Sequence, residues 1–499
     1  MSRRSPIVYR ALLLTGVNLL LRLVSTSFQV YISGKIGAAG VGLLQLVLSV
    51  GSMAMTAGIA GIRTGTMYLT AEELGKHRPQ NVGHILSGCV RYSILCGGAV
   101  AVLLYSLAPT LARHWIGDSR TVGAIRLLAC FLPVSCLCGV MTGYFTAAGR
   151  IGTLAAVEVA EQLCSMGITA AALTLWAGSD PGKACQSVVL GSGAGALLTL
   201  SLLTLLRVLE KAPNGEPIPV RKRLLNIALP LAVADDLKTG INTTENLMVP
   251  KRLALYARET DPLASFGMVC GMVFPVLMFP AAILFGLAEL LIPEMARCSA
   301  AGSHIRIRYL SKRSLRVAML YGLLFGGLLF LLAESLCISL YSSDRAGAYL
   351  RLFAPLAPML YCDAITDAMT KGLGQQKICV RYNILTSLMD VVLLFFLLPE
   401  YGITGYFLSF LVTHALNFGL SLRLLIKTAG LRLRLRVPVT AALCAAGAVF
   451  AAGFVSGPVL QAGAFTVVFA CLLVLLRVVT REDIRWLKGL VSKKGAAVS

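Results

Sequence analysis

The stretch ADDLKTGINTTEN (234–246) gathers side chains able to do chemistry inside an otherwise apolar region. Asp235, Lys238, Asn242 and Glu245 follow at steps of three, four and three residues, which puts them on one face of a helix. Asp236 lies off that line, where a neighbouring helix can meet it. Lys238 is a cation to offer an anionic group, and Glu245 or Asp235 can take a proton or an ion. An intrahelical Asp235–Lys238 pair is the simpler alternative. Four ionisable groups between Pro230 and Pro250 are costly, however, if packing is their only purpose.

A second stripe, Asn18, Arg22, Ser25 and Gln29, repeats at helical spacing. Arg22 stands about 18 Å along a helix from Arg10, too deep to reach an interface by snorkelling. It reads as a cavity-facing cation or as the partner of a buried acid. Glu158, Glu161, Gln162 and Ser165 form a third face, Asp363 and Asp367 lie one turn apart, and Asn383, Ser387 and Asp390 form a further face. For these, lining a polar path and ordinary packing explain the spacing equally well. Arg63 and Glu294 end their segments at the expected cytoplasmic edge, as gate contacts or as interfacial residues. Pro275 and Pro280, in FGMVCGMVFPVLMFPAA (266–282), remove helical hydrogen bonds and predict bending.

The elements that must carry these groups are membrane helices. Of 499 residues, 57% are hydrophobic and only 14% charged, against roughly a quarter charged in soluble proteins; mean hydropathy is +0.79. A helix crosses the ~30 Å hydrocarbon core in roughly 20 apolar residues. Fourteen segments qualify: 11–31, 41–62, 84–108, 121–146, 151–177, 185–209, 224–249, 266–292, 316–341, 346–370, 378–398, 402–426, 437–455 and 460–479. Strands would expose unpaired edges to lipid, so the expected fold class is an all-α polytopic membrane protein. Arg22 in the first segment, and the spans behind it, argue against a cleaved signal peptide.

With the N-terminus in the cytoplasm, 29 Lys and Arg fall in cytoplasmic loops or tails, 9 in outer loops and 7 within spans. That asymmetry predicts both termini inside. The net charge of +22 then reflects topology and attraction to anionic inner-leaflet lipid, with no nucleic acid as partner. The fourteen cysteines lie mostly in apolar runs and read as small buried hydrophobes. A helix–turn pattern, GYFTAAGR (143–150), returns as MTKGLGQQK (369–377), as expected of a repeated transporter architecture. The expected division is a six-helix lobe over 1–215, a second over 216–430, and two further helices with a basic cytoplasmic tail over 431–499.

Enzymatic signals are weak. Five histidines show no HExxH spacing, no GxxxxGK[ST] loop occurs, and the outer loops are too short to carry a diphosphate–metal site. No metal or cofactor is expected, and the chain reads as a transporter without covalent chemistry.

Several segments resemble the stage V sporulation protein B group of polysaccharide and lipid-linked oligosaccharide exporters. They are FQVYISGKIGAAGVGLLQL (28–46), AGI through AEELGK (57–76), ENLMVPKRL (245–253), FGMVCGMVFPVLMFP (266–280) with LLIPEM (290–295), and KGLGQQK through HALNF (371–418). This group is related to the lipid II flippase and to the multidrug and toxin extrusion transporters. The resemblance implies two lobes related by a pseudo-twofold along the membrane normal, working by alternating access. It implies a bacterial cytoplasmic membrane protein, expected to act as a monomer, that moves an undecaprenyl-diphosphate-linked cell-wall, spore-cortex or polysaccharide precursor outward. Arg22 and Arg63 look like the flippase's cavity arginines, and the pattern on the seventh span falls on Glu245. Ala60 departs from the proline many members carry. Coupling to membrane potential, H+ or Na+ stays open, as do partner proteins of cell-wall or spore synthesis. Export of cationic amphiphiles by the same fold is the alternative, and a structural role in a synthesis complex is another.

Overall fold

In the computed structural model the described residues are 5–59, 61–76, 78–178, 180–209, 220–431 and 436–478; the side chains of 5–19, 221–222, 226–227, 230–231 and 234 lie outside the description. These residues form helices α1 (Ser5–Ile59), α2 (Ile62–Gly75), α3 (Val82–Thr110), α4 (Val122–Ala147), α5 (Ile151–Ala172) and α6 (Pro181–Leu209). Then come α7 (Val220–Leu253), α8 (Pro262–Gly267), α9 (Phe274–Met278), α10 (Ala281–Ala300), α11 (His304–Tyr341) and α12 (Asp344–Phe353). The last are α13 (Ala357–Gly372), α14 (Gln376–Tyr401), α15 (Ile403–Ala429), α16 (Arg436–Ala452) and α17 (Pro458–Leu475).

Among the described residues, nine helical stretches are long and apolar enough to cross a bilayer, or ten if Pro262–Met278 and Ala281–Ala300 count as one bent span. This is fewer than the fourteen segments read from the sequence, for local reasons. The break expected between 31 and 41 is present as a kink at Gly37, whose φ of 71° and ψ of 174° are non-helical and left to glycine. Two helices meet there end to end within α1, with no loop to separate them. The charges of the 234–246 stretch keep α7 below the apolarity required, and Pro355 and Pro358 divide the 346–370 segment into α12, a 3-10 turn and α13. At 17 residues, α16 is short.

The chain packs as two compact units. The first runs to Gly271 and takes in Asp390–Tyr406. Within it α5 packs on α6, α3 and α6 on α4, and α7 on α1, α2 and α3. Its core joins Ile62, Leu69, Ile85, Phe145 and Leu203 to Val220, Leu224 and Ala228 at the start of α7. At the edge of that core, Glu73 is only 3% exposed and is held by two donors. Asn81 Nδ2 donates to it at 3.1 Å and Arg223 Nη1 at 3.3 Å, while Arg223 Nη2 reaches Glu72 at 2.7 Å. A buried carboxylate is tolerable only with such partners. In the connection before α4, Arg120 hydrogen-bonds Asp118 and holds its carboxyl below the ordinary range.

The second unit comprises Met272–Met389 and the chain from Phe407 onward. Residues 268–273 form a π-helical turn just before Pro275, and the helix axis turns by 64° at Phe279–Pro280. Proline cannot donate to the preceding turn. At the bend, Tyr361 Oη donates to the Leu277 carbonyl at 2.7 Å and Tyr321 Oη to the Pro280 carbonyl at 2.8 Å. These bonds satisfy backbone groups that lipid could not. The α16–α17 pair stacks Phe465 on Phe469 and packs on Leu320, Leu324 and Leu331 of α11.

Within the first unit, α1 and α8 approach backbone to backbone. A Cβ on Gly267 would stand 2.1 Å from the Ala38 carbonyl oxygen, and one on Gly42 would stand 2.2 Å from that of Leu263. Gly267 and Gly271 have the GxxxG spacing that permits this approach. Gly267→Ala is therefore expected to lower stability by about 1–3 kcal/mol, the usual cost of overpacking. Thermal unfolding in detergent reads the effect; an unchanged midpoint would contradict the close approach.

Candidate functional site

The polar face of α7 divides into three parts. Thr243 Oγ1 donates to the Ser49 carbonyl at 3.1 Å, Asn246 Nδ2 to Ser49 Oγ at 3.0 Å, and Thr56 Oγ1 to Thr239 Oγ1 at 3.3 Å. This seam fixes α7 against α1. Asp235, Lys238 and Asn242 remain exposed, and no ion pair joins Asp235 to Lys238 among the described residues. Asp236 is half-buried, with Oδ1 enclosed and unpartnered.

Glu245 turns inward, within hydrogen-bonding reach of the carboxyl group of Asp390, which is 6% exposed. The buried Tyr406 hydroxyl and the half-buried Cys270 thiol, 3.9 Å apart, lie beside the pair. The sequence named both acids, but not their contact across 145 positions. Asp390 interrupts the apolar run SLMDVVLLFFLL (387–398) and shares a helical face with Asn383 and Ser387, and neither signal points to Glu245.

The first stripe also divides. Ser25 accepts a hydrogen bond from Gln162 Nε2, and Gln29 Nε2 donates to the Gly271 carbonyl at 3.2 Å. Both therefore serve helix contacts, whereas Arg22 is exposed. The Asn18 side chain lies outside the described residues.

A cavity of about 230 Å³ opens among α2, α4, α5 and α6. Arg63, Glu158 and Glu161 line it, together with hydroxyl groups of Ser135, Thr142 and Thr199. Helical spacing on α5 brings both glutamates to the same wall. Thr199 Oγ1 donates to Glu161 Oε2 at 2.7 Å. Sequence reasoning named all three charged residues without placing them together, and it passed over Thr199, whose hydroxyl looked like any other in a glycine-rich helix.

In the second unit, Asp363 Oδ2 accepts from Asn417 Nδ2 at 3.1 Å, and Asp367 pairs with Lys371 one turn on at 2.6 Å. Glu294 pairs with Arg306 at 2.7 Å. Among the described residues no group of three or more His, Cys, Asp or Glu side chains is arranged to hold a metal ion.

The Glu245–Asp390 contact has a direct consequence for stability. Asp390→Leu leaves a buried carboxyl without its partner and is expected to cost about 1–3 kcal/mol. Asp390→Asn keeps a donor toward Glu245, so its loss should be smaller. Equal shifts in the unfolding midpoint of the two variants would count against the pairing.

Comparison with known proteins fits this architecture. Residues 15–171 match the MatE family. Stage V sporulation protein B of Bacillus subtilis (strain 168) is 22% identical over 408 residues, covering 79% of this chain and 78% of that protein. A multidrug resistance MATE family transporter of the MOP superfamily, solved inward-facing, superposes with a TM-score of 0.67 at 12% identity, covering 83% of this chain and 98% of that one. The lipid II flippase MurJ, solved in an inward closed conformation, gives 0.69 at 11% identity, covering 93% and 99%. The chain thus has the all-helical membrane fold of the MOP-superfamily flippases and exporters.

Proposed function

We infer that the protein is an alternating-access exporter of an amphiphilic, membrane-embedded substrate, and that movement is coupled to a cation held at Glu245 and Asp390. The observation that carries this reading is that carboxyl pair, which faces inward from two helices. Ionisable groups at such depth are costly, and in transporters they serve as relays. The cavity suits cargo that bears an ammonium group, because two carboxylates stand there beside a single guanidinium. Arg22 and Lys238, expected to greet a diphosphate, are exposed and do not line it.

A second reading, outward movement of a lipid-linked anionic glycan, draws support from α16 and α17. The lipid II flippase covers 93% of the chain against 83% for the MATE transporter. Counting the α1–α2 stretch as two crossings, and adding α7, α12–α13 and α16 to the ten, gives fourteen. An even number puts both termini on one side, and the excess of Lys and Arg in alternate loops puts that side in the cytoplasm. In this arrangement the two repeats follow the expected lobes, 1–215 and 216–430, and the bilayer's own lipids are the immediate partners.

Proteoliposomes separate the two readings. Efflux of a lipophilic cation driven by an imposed proton or sodium gradient, lost in Glu245→Gln with the protein still folded, is the expected result. Leaflet-to-leaflet movement of a polyprenyl-diphosphate-linked glycan without cation efflux would overturn it in favour of the second. Arg22→Ala and Lys238→Ala should then abolish that movement.

A further inference from the structure

Arg63 on α2 and Glu158 on α5 are both exposed and line the same cavity, yet no salt bridge or hydrogen bond joins them. Neither has another ion-pair partner among the described residues. Elsewhere in this unit opposite charges close on one another: Arg223 on Glu72 at 2.7 Å and Arg120 on Asp118 at 2.6 Å. Here they share a cavity without closing on one another. Glu161, one turn from Glu158, is oriented by Thr199 and keeps acceptor capacity.

Such a wall is complementary to neither a simple cation nor a simple anion. A lone ammonium would be drawn to the glutamates but meet Arg63, and a lone phosphate would meet two carboxylates. A group carrying both charges satisfies every side, with Arg63 gripping its oxygens in fork geometry and the glutamates accepting from its ammonium. Size narrows the choice further. About 230 Å³ falls below the ~300–1,000 Å³ that encloses a drug-sized ligand, so only a headgroup enters and any apolar remainder stays outside. The geometry points to a binding site for a compact zwitterionic headgroup, an ammonium and a phosphate or carboxylate a few bonds apart, held by Arg63 at the anion and by Glu158 and Glu161 at the ammonium. This deepens the export reading by naming the cargo's polar end, although binding at the site can be tested without transport.

Calorimetric titration of the detergent-purified full chain tests it with three short-chain probes: dihexanoyl phosphatidylethanolamine, dihexanoyl phosphatidylglycerol and the primary ammonium hexylammonium. The zwitterionic probe should bind about tenfold or more tightly than either of the others, since each charged contact is worth that much. Arg63→Ala should remove the advantage over the cationic probe, and the double change Glu158→Gln with Glu161→Gln the advantage over the anionic one. Equal affinities for the three probes in the unmodified protein would overturn the proposal whether or not a variant folds, as would unchanged affinity in a folded Arg63→Ala. Competition by free O-phosphoethanolamine would support the site and extend it to soluble groups; preference for the lipid form would support it and confine it to lipid-borne ones. If the probes bind as expected but gradient-driven efflux is absent, the export reading fails and the site stands.

Discussion

The structure depends on one constraint: a charge placed among membrane helices must find a partner or face an aqueous space. Desolvating a lone carboxylate costs several kcal/mol even after relaxation, a large share of any protein's net stability. Four of the described acids meet this requirement in different ways. Glu73 takes donors from Asn81 and Arg223, Asp363 takes one from Asn417, Asp367 pairs with Lys371, and Glu245 faces Asp390. Glu158 alone of the cavity carboxylates has no bonded partner, and it is an exposed one. The distinction between structural and functional acids follows from these solutions rather than from position along the chain.

The same constraint governs the backbone. A helix bent by proline leaves carbonyls that no lipid can satisfy, and in the second unit Tyr321 and Tyr361 supply the missing donors. Where helices cross, small residues substitute for the hydrophobic drive that lipid removes. In the first unit Gly42 and Gly267 let α1 and α8 touch, while the Ser49, Thr243 and Asn246 contacts bind α1 to α7. Polar residues on α7 thus perform two tasks on adjacent faces: one set cements the helix, and Glu245 is positioned by that cement.

Much of this was legible in the sequence, because hydropathy and spacing are local properties. Helical membrane segments and the depth of Asp390 follow from apolar runs alone. What was not legible depends on distant partners. Hydropathy places a break between 31 and 41 but is indifferent to its form, and the structure makes it a kink at Gly37 rather than a loop. The stripe Asp235, Lys238, Asn242, Glu245 read as one surface, yet Glu245 leaves it for a carboxyl 145 residues away. Arg63 and the two cavity glutamates are separated by nearly a hundred residues, and only folding shows that they share one space.

That space and the carboxyl pair are separate features of the same unit, and the separation has mechanistic force in the export reading. A transporter that used one carboxylate for both cargo and coupling ion would make the two compete for a single charge. Here the glutamates of the α5 wall meet the cargo, while the coupling cation of that reading meets Glu245 and Asp390. Without a cation between them, two adjacent carboxylates repel and strain the contact between α7 and the Asp390–Tyr406 segment. The strain is relieved if the helices part or a cation enters. The coupling ion would then act on helix packing rather than on the cargo's own contacts, which is the differential stabilisation of two conformations that alternating access requires.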